Sequence, residues 1–259
     1  MTRLSVVIPC YNERESVPQL VNRLEETQAS LGFGYDVECI FVDDGSLDGT
    51  AQRLEEACRN RLKAQVISHA GNQGLGSALR TGLASATGEL IATADSDCTY
   101  DPRELLPMVK LLEGGADVVV GSAYHPQGSV LNVPYYRLFL SRNLSRLYNL
   151  VLGTRIYTYT SLLRLYRAEV IRAVNPPSDD FLAVAQLLVE ALMRGYRVVE
   201  HPMRLNVRTF GASKAVIARL MKDHASFLWW LVWHRVRVSQ ASSVSLASPH
   251  VSVRSSDNR

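Results

Sequence analysis

Asp95 and Asp97 stand one residue apart, directly after the apolar run Leu90–Ala94. Two carboxylates so spaced at a strand end offer a seat for a hard cation, Mg²⁺ or Mn²⁺. Such an ion takes few protein oxygens and completes its shell with phosphate oxygens. It would offset charge on a departing diphosphate. The same pattern also suits a solvated acidic loop. Asp43-Asp44-Gly45-Ser46 follows the apolar run Val37–Val42, with Asp48-Gly49-Thr50 just beyond. A carboxylate there can accept hydrogen bonds from a base edge or a ribose, and the glycines permit a tight turn. A plain turn with helix N-caps would use the same residues. Pro9-Cys10-Tyr11-Asn12-Glu13 ends the first apolar run. Ser178 and Asp179 stand where they could cap a helix that begins near Phe181.

Elements that could position these clusters are legible in the periodicity. Leu4–Pro9, Val37–Val42, Gln65–Ser68, Leu90–Ala94 and Val118–Val120 read as strands. Between them, Ser16–Leu31, Gly49–Asn60, Gly74–Ala86 and Glu104–Glu113 read as amphipathic helices. Strands that alternate with helices predict an α/β fold, with a mostly parallel sheet flanked by helices on both faces. In such sheets ligands bind at the carboxyl ends of the strands, where the polar clusters lie. Further on, helices are predicted over Tyr135–Leu152 and Phe181–Arg194, with a short strand at Arg197–Val199. Arg137, Arg142 and Arg146 sit among the apolar positions of the first of these helices. A long amphipathic helix is expected over Ser213–Val238, with Phe227, Trp229, Trp230 and Trp233 clustered on it. The three parts expected are thus 1–212 for the catalytic unit, 213–238 for the amphipathic helix and 239–259 for a Ser-rich disordered tail.

Composition narrows the class. The chain has 259 residues, 47% hydrophobic, enough to bury a sizeable core. Its 28 basic and 25 acidic residues leave a net charge of +3, too weak to argue for a nucleic-acid partner. Cys10, Cys39, Cys58 and Cys98 lack metal-ligand spacing and read as reduced, packed thiols. The N-terminal apolar run is too short for a signal peptide, and no apolar stretch is long enough to span a bilayer. These features suggest a cytoplasmic protein. A dinucleotide-binding dehydrogenase is excluded, because the turn after the first strand has no glycine.

Taken in order, the clusters resemble the family 2 inverting glycosyltransferases of the GT-A fold. Within that family the chain is most similar to the dolichol- and polyprenol-phosphate hexosyltransferases. The matching stretches are Val6–Glu13, Val42–Thr50, Asn72–Ala78, Asp95-Ser96-Asp97 and Val120-Gly121-Ser122, with Thr160-Ser161, Arg164, Arg208 and Lys214 beyond them.

The resemblance implies transfer of a hexose from a GDP- or UDP-sugar to a polyprenyl or dolichyl phosphate. Pro9, Tyr11 and Glu13 would line the base and ribose, together with Asp43 or Asp44. Asp95 and Asp97 would carry the metal and the donor diphosphate. Arg137, Ser141, Arg208 and Lys214 are its candidates for the acceptor phosphate and the leaving diphosphate. Three departures stand out. Ala123 occupies a position where those relatives usually have an arginine. Thr158 and Leu162 replace an aspartate and a glycine, and Gln186 replaces a glutamate. Two alternatives therefore stay open. One is a transferase acting on a lipid or glycan hydroxyl, with Asp180 as its general base. The other is a non-catalytic nucleotide-sugar-binding protein. Because the implied acceptor lives in a bilayer, the basic and Trp-rich final helix is expected to lie against the membrane surface.

Overall fold

The computed structural model describes residues 1–206 and 217–246, with side chains as far as residue 234. The first strand, β1 (Thr2–Cys10), shows how the layers arise. Leu4, Val6, Ile8 and Cys10 project into one core while Val7 projects into the other, as the period of two demands. α1 (Val17–Leu31) then buries Val17, Leu20, Val21 and Leu24 on the first face and ends at Gly32, whose φ is 63°. β2 (Tyr35–Asp43), α2 (Thr50–Cys58), β3 (Ala64–Ser68), α3 (Leu75–Ser85) and β4 (Leu90–Thr93) follow. A short 3₁₀ turn at Pro102–Glu104 leads into α4 (Leu105–Glu113), and β5 (Val118–Ser122) comes next. Every strand and helix expected over this stretch is present.

The second half departs from simple alternation. β6 (Ser129–Val130), α5 (Tyr135–Leu152), β7 (Arg164–Arg167), α6 (Ala168–Ala173), α7 (Leu182–Met193), β8 (Val198–Pro202) and β9 (Arg204–Leu205) complete the main body. The seven-stranded sheet has the order β3-β2-β1-β4-β7-β5-β8. β7 alone runs antiparallel, with Arg164 opposite both Thr93 of β4 and Val120 of β5. β6 and β9 form a separate two-stranded parallel ribbon. α1, α2 and α4 cover one face, whereas α3, α5, α6 and α7 cover the other.

The last helix, α8 (Ile217–Leu246), continues past the Val238 expected, so the Ser-rich stretch to Leu246 is helical rather than tail. It docks through the buried Leu231 and His224, the latter bonded through Nδ1 to Tyr148 Oη at 2.8 Å. All four cysteines are buried free thiols. Among the described residues, no helix is long and apolar enough to cross a membrane.

Candidate functional site

Sequence puts Asp43 and Asp44 side by side; the fold gives them opposite roles. Both are buried, at 4% and 3% exposure. The Asp44 carboxylate is occupied by the protein itself. It meets His69 Nδ1 at 2.7 Å and accepts from the backbone N–H of Gln73 at 2.9 Å and of Gly74 at 2.8 Å. His69 Nε2 in turn lies 3.0 Å from Thr81 Oγ1 on α3. Asp44 therefore fixes the loop that enters α3. Asp43, by contrast, keeps a buried Oδ1 with no hydrogen-bond partner among the described residues. A buried acceptor left open is costly unless a ligand fills it.

The turn beside these residues is equally tied down. Asn12, at φ 50°, donates its N–H to Ser46 Oγ at 2.8 Å and accepts from Leu47 N–H at 2.9 Å. Glu13 N–H donates to Thr50 Oγ1 at 2.9 Å, and the Glu13 carboxylate accepts from Ser16 Oγ at 2.9 Å. Gly45 has φ 70°, and a Cβ there would run into the Gly71 backbone. Only glycine suits both the dihedral and the close approach. Pro9 is buried within β1 opposite Val42, while Tyr11 is half-buried just past the strand.

Asp95 and Asp97 leave the end of β4, on the other side of β1 from Asp43. Cys98 takes φ 55°, and Thr99 N–H donates to Asp97 Oδ1 at 3.0 Å. Burial pushes the Cys98 thiol up to about 12, with Asp97, Asp101 and Asp95 adding to the shift. Asp101 is paired with Arg103, which leaves Asp95 and Asp97 as the candidate carboxylates of the turn. Among the described residues no three His, Cys, Asp or Glu side chains group to hold a metal. The Asp95–Asp97 pair nonetheless offers oxygens and Cys98 stays a thiol, which suits a hard cation completed by phosphate oxygens rather than zinc. The Tyr100 hydroxyl is pushed up by burial, then by Tyr124 and Asp95, with the Ser161 side chain and the Ala123 backbone close enough to offset part of the shift. That contact joins the β4 end to the β5 end. Asn206 N–H donates to Thr99 O at 2.9 Å, so the chain leaving β9 also reaches this turn.

The loop between α5 and β7 closes the other flank. Ser141 Oγ lies 2.9 Å from Thr160 Oγ1. Glu200 accepts from the N–H of Tyr157 at 2.8 Å and of Thr158 at 3.1 Å, and burial raises its carboxyl above the usual range. Arg164 is 0% exposed and donates to the carbonyls of Tyr159, at 2.7 Å, and Val184. The strand it begins is thereby locked to this loop.

A model of the family described as Glycosyl transferase family 2 matches residues 5–174. This chain belongs to glycosyl transferase family 2. The transferase is 32% identical over 219 residues to the polyprenol monophosphomannose synthase of Mycolicibacterium smegmatis, covering 82% of this chain and 80% of that protein. It is 30% identical over 216 residues to the dolichol-phosphate mannosyltransferase of Pyrococcus furiosus, covering 82% of this chain and 59% of that one. It is also 32% identical to the undecaprenyl-phosphate 4-deoxy-4-formamido-L-arabinose transferase of Klebsiella pneumoniae, of which it spans 64%. The chain thus spans less than two thirds of the latter two relatives. Among solved structures, glucosyl-3-phosphoglycerate synthase of Mycobacterium tuberculosis, in complex with Mn²⁺ and UDP, matches with TM-score 0.64 at 19% identity. That match covers 90% of this chain and 80% of the other. The GT-A fold expected from the sequence is the fold observed.

Not every candidate residue of the transferase converges. Asp43, Tyr11, Glu13, Asp95 and Asp97 stand at the ends of β1, β2 and β4, and Asp44 turns to the loop that enters α3. Ser141 faces the Thr160 loop. Arg137, half-buried in the first turn of α5, has Nε 3.4 Å from Tyr136 Oη. Arg208 and Lys214 lie outside the described residues. Asp180 is exposed beside Gly74, on the β2–β3 side. The expectation that Ser178 and Asp179 cap α7 is corrected: the N-cap is Phe181, with no side-chain bond. Asp179 instead pairs with Arg80, and its carbonyl accepts from Gly76 N–H at 2.6 Å, capping α3. Sequence reasoning passed over Tyr124, Tyr100 and His69. Each matters through a partner distant in the chain, so no local spacing could mark it.

Proposed function

We propose that the transferase moves a hexose from a GDP- or UDP-sugar onto a polyprenyl phosphate at a membrane surface, by a single inverting displacement. The observation that carries the reading is the placement of Asp43's open oxygen and the Asp95–Asp97 pair on either side of β1. Two strand spacings separate the β2 and β4 ends, about 10 Å, a gap that a nucleoside diphosphate can bridge. Asp43 would then accept from the base, with Pro9, Tyr11 and Glu13 lining the base and ribose. Asp95 and Asp97 would hold Mg²⁺ or Mn²⁺, and the bound cation would neutralise charge on the leaving diphosphate.

The acceptor half of the reading draws on the relatives, three of which carry polyprenol, dolichol or undecaprenyl phosphate in their names. A phosphate monoester is already anionic near neutral pH and needs no general base. Asp180, beside Gly74, is then not required for proton removal. Ser141, Arg137, Arg208 and Lys214 are proposed to hold the acceptor phosphate and the leaving diphosphate. α5 and α8 expose Tyr135, Tyr136, Phe139, Leu147 and Leu150 together with Trp229, Trp230 and Trp233. Aromatic residues beside cations suit the headgroup zone of an anionic bilayer, so peripheral membrane contact belongs to the same reading.

The test is a transfer assay with GDP- and UDP-sugars, Mg²⁺ or Mn²⁺, and a short-chain polyprenyl phosphate. Product that requires the metal and disappears in Asp97→Ala, but persists in Asp180→Asn, is the expected result. Transfer only to hydroxyl acceptors, lost in Asp180→Asn, would overturn it. Donor binding without any turnover would leave a binding protein instead.

A further inference from the structure

Arg142 lies on α5, one residue after Ser141, and its guanidinium carbon sits 5.1 Å from the centroid of the Tyr124 ring. Tyr124 is two residues beyond β5. Its hydroxyl lies near enough to that of Tyr100 to raise it, and Tyr100 in turn feels Asp95. Ser141, next to Arg142, is bonded to Thr160 in the same loop. Arg142 is therefore pinned where the β5 end meets the Thr160–Ser161 loop, on the flank of the Asp95 turn away from Asp43.

The guanidinium is exposed, and among the described residues no carboxylate forms an ion pair with it. A guanidinium over an aromatic face is held by the ring and still has N–H donors to offer an anion. Those donors match the oxygens of a phosphate monoester bidentately. Arg146, one turn further along, is also exposed, but it donates to Asn143 Oδ1 at 3.1 Å.

We propose that Arg142, seated on Tyr124, binds the phosphate of the lipid acceptor. The proposal rests on the polyprenyl-phosphate reading above. Its test measures steady-state transfer by the full chain, varying a short-chain polyprenyl phosphate and then the nucleotide sugar. Arg142→Ala is expected to raise KM for the polyprenyl phosphate about tenfold or more, the loss of one charge-assisted contact. The donor KM should stay within about twofold under the same arithmetic. Tyr124→Leu should raise the acceptor KM in the same direction by less, because the cation survives but loses its seat. Arg146→Ala controls for general attraction of the acceptor to a basic helix and should leave both constants unchanged. An unchanged acceptor KM in Arg142→Ala would overturn the proposal, and so would an equal rise in Arg146→Ala. A wild-type chain that binds donor but never transfers to polyprenyl phosphate would instead remove the underlying reading, and the proposal with it.

Discussion

At the ends of β1 and β2 the polar side chains are tied chiefly to backbone N–H groups of neighbouring turns, whereas on α5 and α8 many of the large side chains face outward. Asp44 is held by His69, Asn12 by Ser46 and Glu13 by Thr50, whereas Asp43 keeps a buried oxygen with no hydrogen-bond partner among the described residues. On the other side, Trp229 is 67% exposed and Arg142 has only a ring beneath it. The first region has the character of a preformed cleft for a small rigid ligand. The second has the character of a surface awaiting something large and apolar with an anionic head. Under the proposed function, substitutions in the first region should trade stability against donor binding, while those in the second should alter acceptor handling with little cost to folding.

The sharpest way to break that contrast is to separate Asp44 from its neighbour. Asp44→Ala strands the largely buried His69 side chain and two part-buried backbone N–H groups, at a cost of about 3 kcal/mol. Thermal unfolding should show a drop in Tm, and donor binding should fall with it. If Asp44→Ala melts like the wild type, the Asp44 contacts are not what holds the α3 loop. Asp43→Asn should behave in the opposite sense. It retains shape and stability but presents an amide, so donor affinity should fall about tenfold, close to 1.4 kcal/mol, with Tm unchanged. Calorimetric titration with the nucleoside diphosphate distinguishes the two variants.

The second region has its own weak point in the seat of α8. Burial holds the His224 imidazole down to about 4, from an ordinary value of 6.5, with Asp223 opposing part of the shift. Near neutral pH both folded and unfolded chains carry it uncharged, and docking is at full strength. As pH falls through 6.5 towards 4, the unfolded chain takes up a proton that the docked helix refuses. Stability should then decline by up to about 3 kcal/mol. In effect size this lies between the two aspartate variants. Tryptophan emission followed from pH 7 to pH 4.5 should report loosening of α8 before the far-UV signal of the sheet changes. Simultaneous loss of both signals would mean that α8 and the sheet unfold as one unit.

Legibility in the sequence follows the same division. The alternation of apolar runs and amphipathic helices marked β1 to β5 and α1 to α5, because each of these elements buries a face with its own period. β7 escaped notice. Arg164 and Arg167 bracket it, and its antiparallel insertion is decided by β4 and β5 on either side rather than by local pattern. β6 and β9, two residues each, carry no period at all. Within the site, Asp95 and Asp97 were readable because spacing alone places them at one strand end. Asp43 and Asp44 were not separable, since the difference between them is made by His69 and Gly74, far along the chain. Arg142 was visible as one of three arginines on a helix, yet only the approach of Tyr124 singles it out.

The smallest expected effect concerns the outward tryptophans. Deleting α8 would be a poor test of membrane contact, because Leu231 and His224 belong to the core and their removal would uncover α5 and α7. Trp229→Ser with Trp233→Ser avoids this, since both rings are more than half exposed, at 67% and 51%. The double variant should keep the wild-type Tm. Its pelleting with vesicles that contain anionic lipid should fall severalfold, as interfacial binding scales with the apolar area inserted. Transfer to a short, water-soluble polyprenyl phosphate should be unaffected, because Asp97 and Arg142 are untouched. Pelleting equal to the wild type would assign the exposed aromatic face to contact with a protein, and the sedimentation coefficient of the same two samples would then show whether a second copy of the chain covers it.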